Sequence, residues 1–321
     1  MIPIETIKKN VNNTIDKTDF PELGEKYEGK VRDNYITPTR RTIIVTDRIS
    51  AFDRVLCSLP FKGQVLNQTS AFWFEKTRDI VQNHVLDIPD PNVMITKECK
   101  PLAVEMVVRG YITGVTSTSI WYNYQNGVRN FCGNNLAEGL VKNQKLNEPI
   151  LTPSTKAEKG SHDMSVPREY FFDNIISKEI YEQVEKAALK LFEYGTRHCA
   201  KHNLILVDTK YEFGLYNDVV TIIDEMHTPD SSRFWIKDTY DELFSQGKEP
   251  VKLDKEYVRE WLVQKGFRGD GVIPKIPDEI KAEASRRYIQ AYEMITGNEF
   301  KIAEGNVIER IRQNLKGNGY L

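Results

Sequence analysis

The sequence is poor in the residues and runs that mark several classes of protein. Only four of its 321 residues are cysteine, and they lie far apart without a CxxC pair, so we expect neither a zinc site nor a disulfide framework. Its five histidines form no HExxH pattern. The longest apolar runs fall far short of the roughly 20 residues that a transmembrane helix needs, and the start of the chain, which contains acids, does not resemble a secretory signal. These shortages predict a cytoplasmic protein without a membrane partner.

An excess of charge of one sign is also missing. The formal net charge is −2 and no long run carries a single sign, which argues against a dedicated nucleic-acid binder. The proportions of apolar residues, 40%, and charged residues, 28%, are ordinary for a globular protein. A chain of 321 residues exceeds most single cores, so we expect two lobes around a cleft. The composition leaves open whether the protein is a monomer or a homo-oligomer.

The order of the periodic segments predicts an α+β fold. Residues 26–110 have mostly the apolar, β-branched pattern of strands, interrupted by a helical pattern over 63–81 in which Ser70 is a candidate cap. A second helix is predicted after the capping residue Ser177. The end of the chain is helical near residues 255–265, 278–296 and 302–316. Strands therefore come first and helices later, unlike an alternating βαβ sheet.

One predicted strand carries Asp208, Lys210 and Glu212 at every second position, so the three side chains share one face. A two-residue loop at Asn217–Asp218 would put Asp224 on the other face, whereas a three-residue loop or a bulge would put Asp224 opposite Glu212. Opposed carboxylates suit Mg²⁺ bound with phosphates, and we predict the longer loop or a bulge together with a metal-nucleotide site. The alternative is a surface ladder of ion pairs.

A turn with the sequence Gly29, Lys30, Val31, Arg32 lies between two strand-like segments. Glycine would let the backbone approach a ligand, and the two cations could reach phosphates. The turn matches neither GxxxxGK[ST] nor GxGxxG, so a plain hairpin turn is the alternative interpretation.

Charged residues also follow other strand-like segments. Ser50 and Asp53 lie in a polar turn, while Arg109 and Arg233 each adjoin an apolar run. The planar fork of arginine suits a carboxylate or a phosphate, although each position also fits an ordinary turn or a surface anchor. Together with the turn and the acidic strand, these residues indicate a nucleotide-dependent enzyme that acts on an anionic substrate.

These segments together closely resemble the SAICAR synthetase (phosphoribosylaminoimidazole-succinocarboxamide synthase) family. The resemblance covers roughly residues 20–240, and the DxKxEFG and TPDSSRFW motifs are specific to the family. The matching segments, in order, are YEGKVRDNY, VTDRISAFD, KGQVLNQTS, VVRGYITG, LTPSTKAEKGSHD, LVDTKYEFG and DEMHTPDSSRFW.

The resemblance implies an ATP-dependent ligase of purine biosynthesis. Such an enzyme joins the carboxylate of carboxyaminoimidazole ribonucleotide (CAIR) to L-aspartate through an acyl phosphate and releases SAICAR, ADP and phosphate. The small-molecule partners would be CAIR and L-aspartate, and the cofactors ATP and Mg²⁺. The implied fold has an N-terminal antiparallel β lobe that binds ATP, residues 1–101, over a larger α+β lobe with a helical tail, residues 102–321.

The resemblance also implies roles for individual residues. The turn residues that match the ATP-phosphate contacts are Gly29, Lys30, Val31 and Arg32. The acids that match the Mg²⁺ ligands, and so also contact ATP, are Glu212 and Asp224, which would act in catalysis with Lys210. The residues that match the cleft around CAIR are Ser50, Asp53, Arg109, Asp208, Lys210 and Arg233. The loop over 152–163 would close over the substrates.

One position departs from the family. A serine commonly follows the glycine that matches Gly114, but here the residue is Val115, followed by the hydroxyl-bearing stretch 116–119. A hydroxyl contact to the substrate is either lost or supplied by a neighbour.

Two other functions are compatible with the acidic strand and the later aspartate. A small-molecule kinase, such as an inositol-phosphate kinase, could use the same groups without needing an amine. A non-catalytic module could bind ATP without turnover, although the sequence keeps both candidate metal acids.

Overall fold

A computed structural model of the chain describes residues 2–52, 54–156, 163–253 and 255–321. The helices, in chain order, are Ile4–Lys9 (α1), Lys62–Lys76 (α2), Ile120–Gln125 (α3), Glu169–Asn174 (α4), Lys178–Lys201 (α5), Lys237–Ser245 (α6), Glu256–Gln264 (α7), Asp278–Thr296 (α8) and Val307–Gly317 (α9). Within the described ranges, none of these helices has the length and apolarity needed to cross a membrane.

The strands form two main sheets and two small ribbons. In chain order they are Glu25–Glu28 (β1), Arg32–Ile36 (β2), Arg40–Val45 (β3), Arg48–Ala51 (β4), Arg54–Ser58 (β5), Gln82–Asn83 (β6), Val85–Asp90 (β7), Val93–Lys97 (β8), Lys100–Tyr111 (β9), Asn130–Phe131 (β10), Asn134–Asn135 (β11), Lys145–Leu151 (β12), Ser154–Thr155 (β13), Leu204–Tyr216 (β14), Val219–Ile223 (β15) and Ser232–Ile236 (β16).

The first sheet is antiparallel throughout and has the strand order β1-β2-β3-β8-β7. The second has the order β12-β9-β14-β15-β6, with β13 beside β9 and β16 beside β14, and its only parallel pair among the described strands is β15 with β6. Strands dominate the first third of the chain and helices the last quarter, so the predicted α+β class and the C-terminal helices are confirmed.

The period of two along β3 explains how the first sheet is covered on both faces. Ile43 and Val45 join the large core with α2, whereas Ile44 points to the opposite face. That second face packs against Val307 and Ile311 of α9. The last helix of the chain thus completes the core of the first sheet.

Helix α5 begins as the sequence predicted, because the Ser177 hydroxyl accepts a hydrogen bond from the Ile180 N–H. The predicted cap of α2 was wrong. Ser70 is buried in the middle of that helix, and the residue before its first turn is Phe61, which has a φ of +67° and offers no side-chain cap. An aromatic residue in a left-handed conformation is not a start signal that a sequence pattern contains.

The predicted hairpin loop was also wrong. Strands β14 and β15 pair Tyr216 with Val219, so the loop has the two residues Asn217 and Asp218, and Glu212 lies opposite Ile223. Both loop residues have positive φ, +51° and +62°, as a type I′ turn requires. A two-residue loop matches the twist of the strands better than the longer loop that we expected.

Candidate active site

The acid–lysine–acid face of β14 lies against β9, and the strand register decides which groups meet. Asp208 pairs with Arg109 and Glu212 pairs with Glu105 across the two strands. The Lys210 ammonium group lies between the two glutamates, at 2.7 Å from Glu105 Oε1 and 2.5 Å from Glu212 Oε1. The ion pairs therefore join β14 to β9 within the second sheet, and the Lys210 cation separates two carboxylates that would otherwise repel each other.

The charges of this ladder are strongly coupled. Burial alone would raise the pKa of Glu212, but the ammonium groups of Lys210 and Lys156 outweigh burial and hold that pKa well below its usual range. Burial alone would lower the pKa of Lys210, but Glu212 and Glu105 raise it above its ordinary value. Burial raises the pKa of Glu105, an effect to which the Glu212 charge adds. Lys210 and Glu212 are therefore both charged at neutral pH.

Asp224 follows β15 directly and has a φ of +69°. This left-handed residue ends the strand, and its carboxylate reaches the same cavity as Glu212 even though the register does not oppose the two residues. The Arg32 guanidinium binds Asp224 Oδ1 at 2.8 Å and Glu225 Oε1 at 2.8 Å. Burial raises the pKa of Asp224 to about 6, with Arg32 opposing the shift and the Glu212 and Glu225 charges adding to it.

A first cavity of about 410 Å³ lies between the two sheets. All four residues of the Gly29–Arg32 turn line it, as do Lys210, Glu212 and Asp224. The cavity is also lined by residues of β1, β3, β8 and the β8–β9 connection, which are Tyr27, Arg41, Ile43, Lys97 and Cys99. The cavity thus joins a glycine turn and two cations to the acidic pair.

A second cavity of about 700 Å³ adjoins the first, and two of the arginines that line it lie beside the same carboxylate. Arg233 forms an ion pair with Asp208, and Arg109 lies 3.7 Å from the same carboxylate. Arg109 is buried, and it donates to Thr152 Oγ1 at 2.8 Å and to the carbonyl of Thr118 at 3.0 Å. Its guanidinium therefore holds the 116–119 stretch beside the cavity.

Hydroxyl groups follow Gly114 even though this chain has Val115 where the family commonly has serine. Val115 is 60% exposed, whereas the four residues 116–119 line the second cavity. A Cβ at Gly114, whose φ is +94°, would lie 2.4 Å from Ser119 Oγ, so this tight turn needs glycine. A neighbouring hydroxyl, not the residue at 115, is thus available to a ligand.

The two cavities share a small set of lining residues. These are Lys30, Ser50, Lys210, Asp230 and Lys255. Three lysines and one aspartate therefore line the boundary where a ligand in the first cavity would meet a ligand in the second. Lysines at such a boundary attract anionic oxygens.

The acidic pair in the first cavity suits a divalent cation bound with phosphates. Glu212 and Asp224 offer acceptor-only oxygens, and the pKa of Asp224 is raised first by burial and then by the neighbouring Glu212 and Glu225 charges, which a bound cation would offset. Over residues 2–52, 54–156, 163–253 and 255–321, no group of three or more His, Cys, Asp or Glu side chains is arranged to hold a metal by itself. Mg²⁺ ordinarily takes one or two carboxylates and completes its shell with phosphate and water, so the pair fits it.

A family model described as SAICAR synthetase matches residues 25–276 of the chain. The chain belongs to the SAICAR synthetase family. The phosphoribosylaminoimidazole-succinocarboxamide synthase of Legionella pneumophila (strain Paris) is 47% identical over 305 residues, which cover 94% of this chain and 97% of the relative. The chloroplastic enzyme of Arabidopsis thaliana is 46% identical over 318 residues, covering 96% of this chain and 77% of its own.

Solved structures of SAICAR synthetases share the fold. The SAICAR synthase of Saccharomyces cerevisiae, solved with SAICAR, superposes with a TM-score of 0.78 at 29% identity and covers 90% of this chain and 100% of its own. A SAICAR synthetase solved with ADP has the same fold, with a TM-score of 0.66 at 24% identity over 87% of this chain and 100% of its own. The predicted family and enzyme class are therefore confirmed, and this SAICAR synthetase family member is an ATP-dependent ligase.

Several residues that line the two cavities were not predicted from the sequence. Glu105 shares a strand face with Arg109, four residues away, so the period of two could have identified it. Asp230 lies in the TPDSSRFW motif but was given no role, and Lys255 and Arg259 lie at the start of a predicted helix to which no motif was attached. Two other expectations, Asp53 and residues 157–162 of the 152–163 loop, lie outside the described residues.

Proposed function

We propose that the protein joins the carboxylate of CAIR to the amine of L-aspartate at the expense of ATP, through an acyl phosphate. The observation that carries this proposal is the junction of the two cavities. An acidic, glycine-turn cavity suited to a nucleotide meets an arginine-lined cavity suited to an anionic substrate, and three lysines surround the junction. Phosphoryl transfer needs positioning and charge neutralisation more than a protein nucleophile.

ATP would occupy the first cavity, with its phosphates at the Gly29–Arg32 turn. A Cβ at Gly29 would lie 3.1 Å from the carbonyl oxygen of Arg32, and among the described residues no other atom beyond its chain neighbours would lie within 4 Å. Because glycine lacks this atom, the backbone of the turn stays accessible to phosphates. Glu212 and Asp224 would hold Mg²⁺, which, when bound, neutralises phosphate charge. We propose that residues 1–101 form the ATP-binding lobe and residues 102–321 the lobe that binds substrate and metal.

CAIR would occupy the second cavity. Arg233 is only partly buried and lines this cavity, so its guanidinium is the better placed of the two arginines to bind a phosphate or carboxylate. Arg109 would contribute by orienting Asp208 and the hydroxyl stretch 116–119. The SAICAR complex of the yeast relative, at 29% identity, supports a ribonucleotide site in this fold.

The chemistry would take place at the junction. A carboxylate oxygen of CAIR forms a bond to the γ-phosphorus while the bond between that phosphorus and the β–γ bridging oxygen breaks, and ADP leaves. The aspartate amine then attacks the acyl carbon, the carbon–oxygen bond to phosphate breaks, and the nitrogen loses a proton. Lys30 and Lys210 would offset the charge that develops on the transferred group.

The proposal extends to the cellular compartment and to the partners of the enzyme. We propose a cytoplasmic enzyme, because the four cysteines, Cys57, Cys99, Cys132 and Cys199, are all free in the described chain, as a reducing compartment favours. L-Aspartate and CAIR are its proposed small-molecule partners, with no nucleic acid or membrane among them.

The test is an ADP-release assay with CAIR made with ¹⁸O in its carboxylate. We expect ADP only when CAIR and L-aspartate are both present, and one ¹⁸O atom in each phosphate released, because the acyl phosphate passes a carboxylate oxygen to phosphorus. ADP release that needs no amine would indicate a kinase. Phosphate free of ¹⁸O would refute the acyl phosphate.

A further inference from the structure

A fully buried lysine lies next to the junction of the two cavities. Lys62, in the first turn of α2, has none of its side chain exposed, and its ammonium group lies 2.6 Å from Asp230 Oδ2. Asp230 itself lines both cavities. A buried ammonium group is costly unless it is paired, so this contact needs a strict geometry.

The other carboxylate oxygen of Asp230 accepts a hydrogen bond from helix α8. The Tyr288 hydroxyl, on α8, donates to Asp230 Oδ1 at 2.6 Å, and the Tyr288 ring lies 5.5 Å from Lys62 Nζ. Lys255 Nζ donates to the Asp230 carbonyl at 3.1 Å. Tyr288 lies beyond residue 276, where the match to the family model ends. Three separate parts of the chain thus converge on one residue.

The turn that contains Asp230 is also tied to β14. The Lys210 N–H donates to the carbonyl of Ser231 at 3.0 Å, and the hydroxyls of Thr209 and Ser232 are 2.7 Å apart. Arg233, at the end of the same turn, pairs with a carboxylate of β14. A shift of Asp230 would therefore move the backbone at Lys210 and the guanidinium of Arg233 together.

We propose that Lys62 and Tyr288 are positioning residues of the ligase, which act through Asp230 to hold Lys210 and Arg233 at the junction. This inference rests on the proposed function. It gives helix α8 a part in the reaction: the helix supplies a hydroxyl that fixes the distance between the transferred phosphoryl group and the acceptor carboxylate. Misplacements of about 1 Å can reduce rates about a hundredfold, so a modest loosening has a measurable effect.

The test compares Tyr288→Phe with Tyr292→Phe, a matched deletion of a hydroxyl one turn further along α8, where the ring packs against Phe300 and lines neither cavity. We expect Tyr288→Phe to lower kcat about tenfold while the KM for ATP changes less than about twofold, because a hydrogen bond to a charged group is lost next to the junction while the Gly29–Arg32 turn is unchanged. Tyr292→Phe should keep the wild-type kcat. Thermal unfolding and ADP titration establish the folded, nucleotide-competent fraction of each variant.

A second variant, Lys62→Met, and the double variant with Tyr288→Phe complete a cycle. If both residues act through Asp230, the double variant should lose little more kcat than the worse single variant, because effects within one unit are not additive. A wild-type kcat in Tyr288→Phe, or multiplicative losses in the double variant, would overturn the positioning role. Absence of CAIR- and aspartate-dependent turnover in the wild type would instead overturn the proposed function, and the inference with it.

Discussion

Asp224 is a residue whose charge should cost stability in the ligand-free protein. Its pKa is about 6 in the fold, against 3.8 for an ordinary aspartate, because burial and the Glu212 charge disfavour the anion. Each pKa unit corresponds to about 1.4 kcal/mol, so ionising this group costs the folded state about 3 kcal/mol when the pH exceeds about 6. The folded pKa is the raised one, and the stability is therefore present at pH values below about 3.8 and lost as the pH rises through about 6.

The perturbation that removes this cost is Asp224→Asn. The amide oxygen can still accept from Arg32, whose other branch keeps Glu225 at 2.8 Å. We expect the variant to be more stable than the wild type by up to about 3 kcal/mol near pH 8 and by only about 1 kcal/mol near pH 4.5, while its turnover falls sharply. Urea unfolding followed by tryptophan fluorescence at both pH values measures the difference.

The control is Asp218→Asn, the same substitution at an exposed residue of the same hairpin. Asparagine tolerates the positive φ of this turn, so the change in unfolding free energy should stay within about 0.5 kcal/mol at either pH. An Asp224→Asn variant that is less stable than the wild type near pH 8 would refute the reasoning, since the carboxylate would then gain more from Arg32 than it loses on burial.

Two further substitutions test other parts of the site, and a third tests the packing of α2 against β3. Glu212→Gln should reduce kcat about a hundredfold or more while calorimetry shows CAIR affinity within about threefold of wild type, and equal losses in both would mean that Glu212 positions substrate. Arg233→Gln should raise the KM for CAIR at least about tenfold with little change in the KM for ATP, and a reversed pattern would place this arginine with the nucleotide. Gly63→Ala would put a Cβ 2.2 Å from the carbonyl oxygen of Val45, so the free energy of unfolding should fall by about 1–3 kcal/mol. Thermal unfolding measures this loss, and an unchanged unfolding temperature would contradict that close contact.

Local patterns in the sequence predicted the elements better than their junctions. The strand containing Lys210 and the cap at Ser177 follow from periodicity and residue type alone, and both are present. The positions of Asp224 and of the α2 start were missed because each depends on a non-glycine residue in a left-handed conformation, at Asp224 itself and at Phe61. Contacts with distant parts of the structure stabilise such strained conformations, and the sequence of a single segment does not reveal those contacts.

The same limit applies to the site. Asp208, Lys210 and Glu212 could be placed on one face because a strand's period is local, whereas the strand opposite them could not be identified. Glu105 enters the site through β9, about a hundred residues earlier in the chain, at the register that pairs it with Glu212. Tyr288 enters from still further away, and helical periodicity does not indicate which distant turn a helix will contact.

The covering of the first sheet by α9 has a consequence for synthesis on the ribosome. Strand β8 ends at Lys97 and α9 begins at Val307, so about 210 residues must be added between the two. At about 5–20 residues per second this takes roughly 10–40 s. During that interval the apolar face around Ile44 and Ile95 has no α9 to cover it, and a nascent chain with such a face is expected to depend on chaperones until its final turn of helix emerges.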